Sequence, residues 1–164
     1  MLKVNLRYDG DTESPNENYG WKLISFNPRH QSYKNPDSLE FIIRDKVKTG
    51  HAYYLSYYEH GQVWWGLAGN TPPPGVEFRF DGFKLGGLLV WEGQEDPPEE
   101  ESAEAFLKEY TDWANGECYA YEIFDEDDNL IDACGGFIGR DYVMEVIRET
   151  TAGKESVIMN LNGV

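Results

Sequence analysis

The stretch from Tyr53 to Leu67, YYLSYYEHGQVWWGL, decides the fold class. Two runs rich in Tyr, Trp, Leu and Val flank Glu59-His60-Gly61-Gln62, and Gly61 can supply the positive φ of a tight turn. The pattern predicts a β-hairpin with His60-Gly61 as its two turn residues, opposing Tyr58 to Val63, Tyr57 to Trp64 and Ser56 to Trp65. Alternation then puts Tyr54, Tyr58, Val63, Trp65 and Leu67 on one face and Tyr53, Leu55, Tyr57 and Trp64 on the other. Neither face is polar. The hairpin is therefore either covered on both sides within a sheet or buried on one side and offering the other to a partner.

Outward from the hairpin, Leu2, Val4 and Leu6 alternate with Lys3, Asn5 and Arg7, the period of a half-buried strand. An acidic loop over Asp9–Gly20 leads to a short strand over Trp21–Phe26. Asp37 is placed to cap a helix over Ser38–Lys48, with Leu39, Ile42, Ile43 and Val47 on one face. Asp81-Gly82 signals a second hairpin between Phe78-Arg79-Phe80 and Phe83-Lys84-Leu85, and Gly86-Gly87 marks a bulge or a weak point in its return strand. Residues 93–101 read as an exposed acidic linker, followed near Ser102 by a helix whose Phe106, Leu107, Tyr110, Trp113 and Ala114 recur at helical spacing. A third hairpin joins Glu117–Phe124 to Leu130–Phe137. Asp141 is placed to cap a last helix whose stripe is Tyr142, Val143, Val146 and Ile147, and the tail 153–164 is either loose or adds a strand over Ser156–Leu161. The expectation is one α+β domain spanning 1–164, its mainly antiparallel sheet built of hairpins and joined by two or three helices.

Charge is distributed unevenly. Residues 1–90 carry 10 acids and 10 bases, whereas 91–164 carry 20 acids and 4 bases, for a net charge of −16. A one-sided acidic field repels nucleic acid and attracts basic protein surfaces. The N-terminal residues include no apolar leader segment and no stretch is apolar for the length of a membrane span, so the expected location is the cytoplasm, with no membrane partner. Mirroring about the third turn opposes Cys118 to Phe137 and Cys134 to Tyr121, which argues for two reduced, buried thiols and against a disulfide.

Three segments resemble a family of small phage- and prophage-encoded proteins. They are Asp11-Thr12-Glu13-Ser14-Pro15 with Asn18 and Gly20 after it, Leu55-Ser56-Tyr57-Tyr58-Glu59-His60-Gly61 with Trp64, and Gly116-Glu117-Cys118-Tyr119-Ala120-Tyr121 with Asp132, Cys134, Gly136, Phe137 and Gly139. The resemblance implies a viral accessory protein in the host cytoplasm and implies nothing about a substrate.

No catalytic constellation stands out. Asp125, Asp127 and Asn129 occupy the first, third and fifth places of an EF-hand-like loop, but Leu130 stands where Gly is needed and Gly136 where a bidentate Glu is needed, so the reading is an acidic hairpin turn. His30, His51 and His60 are isolated from one another and from Cys, and no phosphate-cradling loop or nucleophile elbow is present. The expectation is a non-enzymatic protein without metal or cofactor. Its acidic residues Glu95, Asp96, Glu99, Glu100, Glu101, Asp125, Glu126, Asp127 and Asp128 would occupy the basic groove of a host nucleic-acid-binding defence protein, a restriction or CRISPR effector, in place of DNA. The alternative is an interaction or assembly protein that binds a host or viral protein through Tyr57, Tyr58, Trp64 and Trp65. Neither reading involves direct nucleic-acid binding.

Overall fold

In a computed structural model, which describes residues 1–70, 72–74, 82–152 and 154–160, the strands form two four-stranded sheets. The α+β class and the mainly antiparallel pairing hold. The single sheet expected from the hairpins is divided, because a hairpin signal is local and carries no information about which hairpins share a sheet. The chain clusters into two compact units, residues 1–13 with 112–164 and residues 14–111.

The first unit contains β1 (Leu2–Tyr8), β6 (Cys118–Phe124), β7 (Leu130–Ile138) and β8 (Ser156–Asn160) in the order β7-β6-β1-β8. Strand β1 pairs antiparallel with β6 and parallel with β8. The helix α3 (Arg140–Thr150) leads from β7 to β8 and packs against β6 and β7. The alternation read in β1 is fulfilled here: Leu2, Val4 and Leu6 join Tyr119, Tyr121, Ile123, Phe137, Val143 and Ile147 in one core. Of the helix stripe, Val143 and Ile147 are in the core and Val146 packs against it as expected, whereas Tyr142 is exposed and meets Phe137 ring to ring at 5.7 Å, and Met144, not expected, also flanks the core. Gly139, at φ +92°, is the N-cap of α3, so Asp141 lies in the first turn, where its charge suits the helix dipole without capping a backbone N–H. The β6–β7 register places Tyr121 opposite Cys134 as expected, but a slip between Tyr119 and Tyr121 moves Cys118 to Ile138. Both thiols are free. Cys118 is buried, and Cys134, expected buried, is exposed on the edge strand.

The second unit contains β2 (Trp21–Ser25), β3 (Ala52–His60), β4 (Gln62–Leu67) and β5 (Gly82–Trp91), antiparallel throughout in the order β2-β5-β3-β4. On one side α1 (Glu40–Lys48) packs against β3, and Ile43 joins Ile24, Ala52, Leu88 and Val90 in a core. The other side of the sheet buries Leu23, Leu55, Tyr57, Trp65, Leu67 and Leu89. The helix α2 (Glu100–Ala114), whose last turn falls in the first unit, contributes Ala103, Leu107 and Tyr110 as buried residues of this one. The residues 92–99 carry no regular structure, as expected of a linker, and Glu100 and Glu101 belong to the first turn of α2. Asp37 does not cap α1. The Asn35 side chain instead accepts the Asp37 N–H and opens a 3-10 turn over Pro36–Ser38, after which α1 begins without a side-chain cap.

The central hairpin is present, one residue out of the expected register. Gly61, at φ +70°, sits alone at the tip between paired His60 and Gln62, so Tyr57 opposes Trp65 and Tyr58 opposes Trp64. Tyr57 and Trp65 therefore share a face, with ring centroids 4.5 Å apart. The Gly86-Gly87 signal corresponds to an irregularity in which β5 spends extra residues opposite Leu55 and Tyr57. Phe78 to Asp81, half of the second predicted hairpin, lie outside the described residues.

Candidate functional site

The acidic stretch after β5 is built on an aromatic base. The Trp91 indole N–H donates to the Glu95 carbonyl oxygen at 2.9 Å, which folds the segment back over the ring. Gly93 and Gly20 lie against that ring; a Cβ at Gly20 would stand 2.6 Å from Trp91 Cζ3, so both positions need a residue without one. The Tyr19 hydroxyl donates to Glu95 Oε2 at 2.5 Å and accepts the Gln94 N–H at 2.8 Å. The Tyr19 bond, followed by Glu95's own backbone, holds the Glu95 carboxyl below its ordinary range, and the same bond raises the Tyr19 phenol. Asp96, Glu99, Glu100 and Glu101 are exposed. Among the described residues none of these five acids forms an ion pair with a Lys or Arg.

The second acidic group, in the turn between β6 and β7, belongs to the other unit. Its carboxylates are largely engaged. Asp125 Oδ1 accepts the backbone N–H groups of Asp127 and Asn129, each at 2.9 Å, and its Oδ2 accepts the Asn129 side-chain amide at 3.0 Å. These bonds hold Asp125 below the usual carboxylate range, the Asn129 side chain contributing most. Glu126 pairs with the Met1 amino group and Asp128 with Lys3. Asp127 alone of the four has no ion pair or side-chain hydrogen bond among the described residues. Asp125 thus serves the turn itself, and among the described residues no group of three or more His, Cys, Asp or Glu side chains is arranged around a metal position.

The aromatic hairpin does not present its rings as the alternative reading requires. Tyr57, Tyr58 and Trp65 are buried, and Trp64 is half-buried with its ring lying over Gly66. The cause is topological: β3 is an inner strand with α1 on one face, and the β4 edge is met by α2. Thr111 Oγ1 accepts the Trp65 N–H at 3.1 Å and also bonds the Trp65 carbonyl, so a helix side chain occupies both of that residue's edge groups.

A polar chain through His30 escaped the sequence reading, which took that residue as isolated. Ser25 Oγ lies 2.6 Å from His30 Nδ1, and His30 Nε2 lies 3.1 Å from the Tyr57 hydroxyl, which in turn donates to Glu59. The Asn27 N–H donates to Ser25 Oγ at 3.0 Å. A consistent direction runs from the Ser25 hydroxyl to Nδ1, from Nε2–H to Tyr57, and from Tyr57 to the Glu59 carboxylate. Ser25 has no solvent exposure, and the imidazole edge meets Tyr57 at 5.1 Å and Trp65 at 6.0 Å. Every polar group in this chain is satisfied, so it fixes the aromatic core in one arrangement. A cavity of about 270 Å³ lies beside it, lined by Phe26, Asn27, Pro28, Tyr57, Leu85 and Gly86.

Burial raises the phenols of Tyr57, Tyr119, Tyr121 and Tyr110 above the ordinary value of 10.0, with carboxylate partners adding to the shift in the first three. Groups raised in the folded state contribute stability that is fully present below the unfolded pKa. That contribution is lost as pH rises from about 10 through the raised values. Phenolate absorbance followed beside circular dichroism is expected to show these four tyrosines ionising together with loss of fold; ionisation near 10 with the fold intact would contradict their placement.

Comparison of the chain with known protein families, with curated proteins and with solved structures finds no match.

Proposed function

We propose that this protein is a non-enzymatic binder of basic protein surfaces, acting in place of nucleic acid in the groove of a host nucleic-acid-binding protein such as a restriction or CRISPR effector. The observation that carries this reading is the run Glu95, Asp96, Glu99, Glu100 and Glu101, exposed and without a Lys or Arg partner among the described residues. Carboxylates already paired within a protein have little left to offer a partner, whereas unpaired ones attract Arg and Lys and speed encounter. The turn 125–128 contributes less, because Glu126 and Asp128 already hold cations and Asp125 holds its own turn. The resemblance to phage-encoded proteins supports a host defence protein as the partner.

The test is displacement of a labelled DNA duplex from such an effector. Wild type is expected to release the duplex. A variant with Glu95, Asp96, Glu99, Glu100 and Glu101 all changed to Lys is expected to lose that activity by at least tenfold while remaining folded, at a lower melting temperature because the Tyr19–Glu95 bond and the first-turn acids of α2 are lost. Undiminished displacement by the reversed variant would remove the acidic run from the interface.

A further inference from the structure

At the end of the second unit's sheet where α2 begins, four rings follow one another in the order Tyr53, Trp21, Trp91 and Tyr19, and of these Trp21 is buried. Trp21 and Trp91 are direct cross-strand partners, their centroids 5.1 Å apart and nearly edge to face. Tyr53, one strand further on, meets Trp21 at 5.9 Å, and Tyr19 meets Trp91 at 6.2 Å with the rings at 77°. Trp21 is buried and its indole N–H donates to Ser102 in the first turn of α2, which anchors the helix start to the cluster. Tyr19 is 68% exposed yet fixed by two hydrogen bonds to the Gln94-Glu95 segment. An exposed aromatic held in this way loses little further entropy when something packs on it. Carboxylates border the same rings: Glu95 is bonded to Tyr19, and Glu100 and Glu101 lie near enough to Tyr53 to raise its phenol, after burial.

Ring faces are electron-rich, and a cation placed over them is attracted by the quadrupole. A guanidinium adds two matches: its plane stacks on a ring, and its fork engages a carboxylate through paired N–H groups. The chemistry on this surface therefore favours arginine over a neutral or an anionic side chain. We propose that the exposed Tyr19 ring, held beside Trp91, and the Glu95 carboxylate bonded to it form a docking surface for an arginine side chain of a basic protein segment. This rests on the reading of the protein as a binder of basic surfaces, and it names the anchor of that interface.

The probe is a short peptide alternating Gly and Arg, titrated into the full chain at low salt and followed by the indole N–H resonances of Trp21 and Trp91. A saturable shift of both is expected, with no comparable binding by the same peptide carrying citrulline for arginine. Tyr19→Leu is expected to weaken the arginine peptide about fivefold, the scale of one exposed cation–ring contact. Tyr19→Phe, which keeps the ring but loses the two hydrogen bonds that fix it, is expected to fall between wild type and Tyr19→Leu. Neutralising the acidic turn of the first unit with Glu126→Gln, Asp127→Asn and Asp128→Asn is expected to change the affinity less than Tyr19→Leu does. If Tyr19→Leu disturbs the loop, Glu95→Gln must weaken binding by a similar factor. Equal binding of the citrulline peptide, unchanged affinity in both Tyr19→Leu and Glu95→Gln, or an equal loss on neutralising the turn overturns the docking surface. Should Tyr19→Leu still displace duplex as wild type does, the acidic-surface reading stands and this anchor falls.

Discussion

Trp65→Ala is expected to lower stability by about 3–5 kcal/mol, the usual loss when a large aromatic is removed from a core. That is a large share of the about 5–15 kcal/mol that holds a typical domain. Trp65 is buried against Tyr57, with His30 and Tyr110 edge-on at 6.0 and 6.4 Å, so truncation leaves a cavity at the junction of sheet, helix and polar chain. Its backbone bonds to Thr111 survive, which limits collapse of the edge strand into the gap. Trp64→Ala is expected to cost clearly less, because that ring is half-buried over Gly66. Urea unfolding of both variants followed by circular dichroism checks this. Equal losses would mean that the register placing Trp65 inside and Trp64 partly outside is wrong.

Gly87→Ala is expected to have the next largest effect, toward the upper end of the about 1–3 kcal/mol typical of overpacking. A Cβ at Gly87 would collide with the Ile24 carbonyl oxygen and stand 3.1 Å from Trp65 Cζ3. The first obstacle is backbone of the neighbouring strand, so β2 must move relative to β5 and the Trp65 ring must move as well. Gly10→Ala, with nothing within 4 Å of the added atom, is the matched control and is expected to be nearly neutral. Similar melting temperatures for the two variants would contradict the close approach of β2 and β5.

What the sequence made legible is what depends on neighbours along the chain. Leu2, Val4 and Leu6 announce a half-buried strand, and Gly61 announces a turn, because period and turn chemistry are local. The hairpin register slipped because His60-Gly61 suits either a two-residue turn or one centred on Gly61 alone, and only burial of Tyr57 against Trp65 separates the two. Long-range pairing left no local mark. Lys3 opposes Phe124, and Asn16 clamps Leu23 by accepting its N–H at 2.8 Å and donating to its carbonyl at 2.9 Å, an amide side chain acting as a strand partner. The Asp9 carboxylate accepts the Gly136 N–H at 2.8 Å, a bond across 127 positions that no local pattern announces.

The candidate site was legible in the same partial way. The acidic run is contiguous and could be read directly from 95 to 101. Its aromatic base could not, since Tyr19 and Glu95 stand 76 positions apart and meet only through the fold. The His30 chain was hidden for the same reason, with Tyr57 27 positions away. Residue type alone left the hairpin aromatics as either core or interface. Burial of Tyr57 and Tyr58 on the inner strand β3, and of Trp65 where α2 meets the β4 edge, makes them core.

The exposed carboxylates left without cations among the described residues are proposed as what a basic partner binds. The most direct measurement is the affinity of the protein for a nucleic-acid-binding effector as a function of salt concentration. Ion pairs between exposed groups are screened over about 8 Å at physiological ionic strength and over about 3 Å at 1 M. The affinity is expected to fall steadily as salt is raised, with a shallower dependence when Glu95, Asp96, Glu99, Glu100 and Glu101 are neutralised to their amides. An affinity indifferent to salt, or a dependence that the neutralised variant reproduces in full, would contradict that proposal.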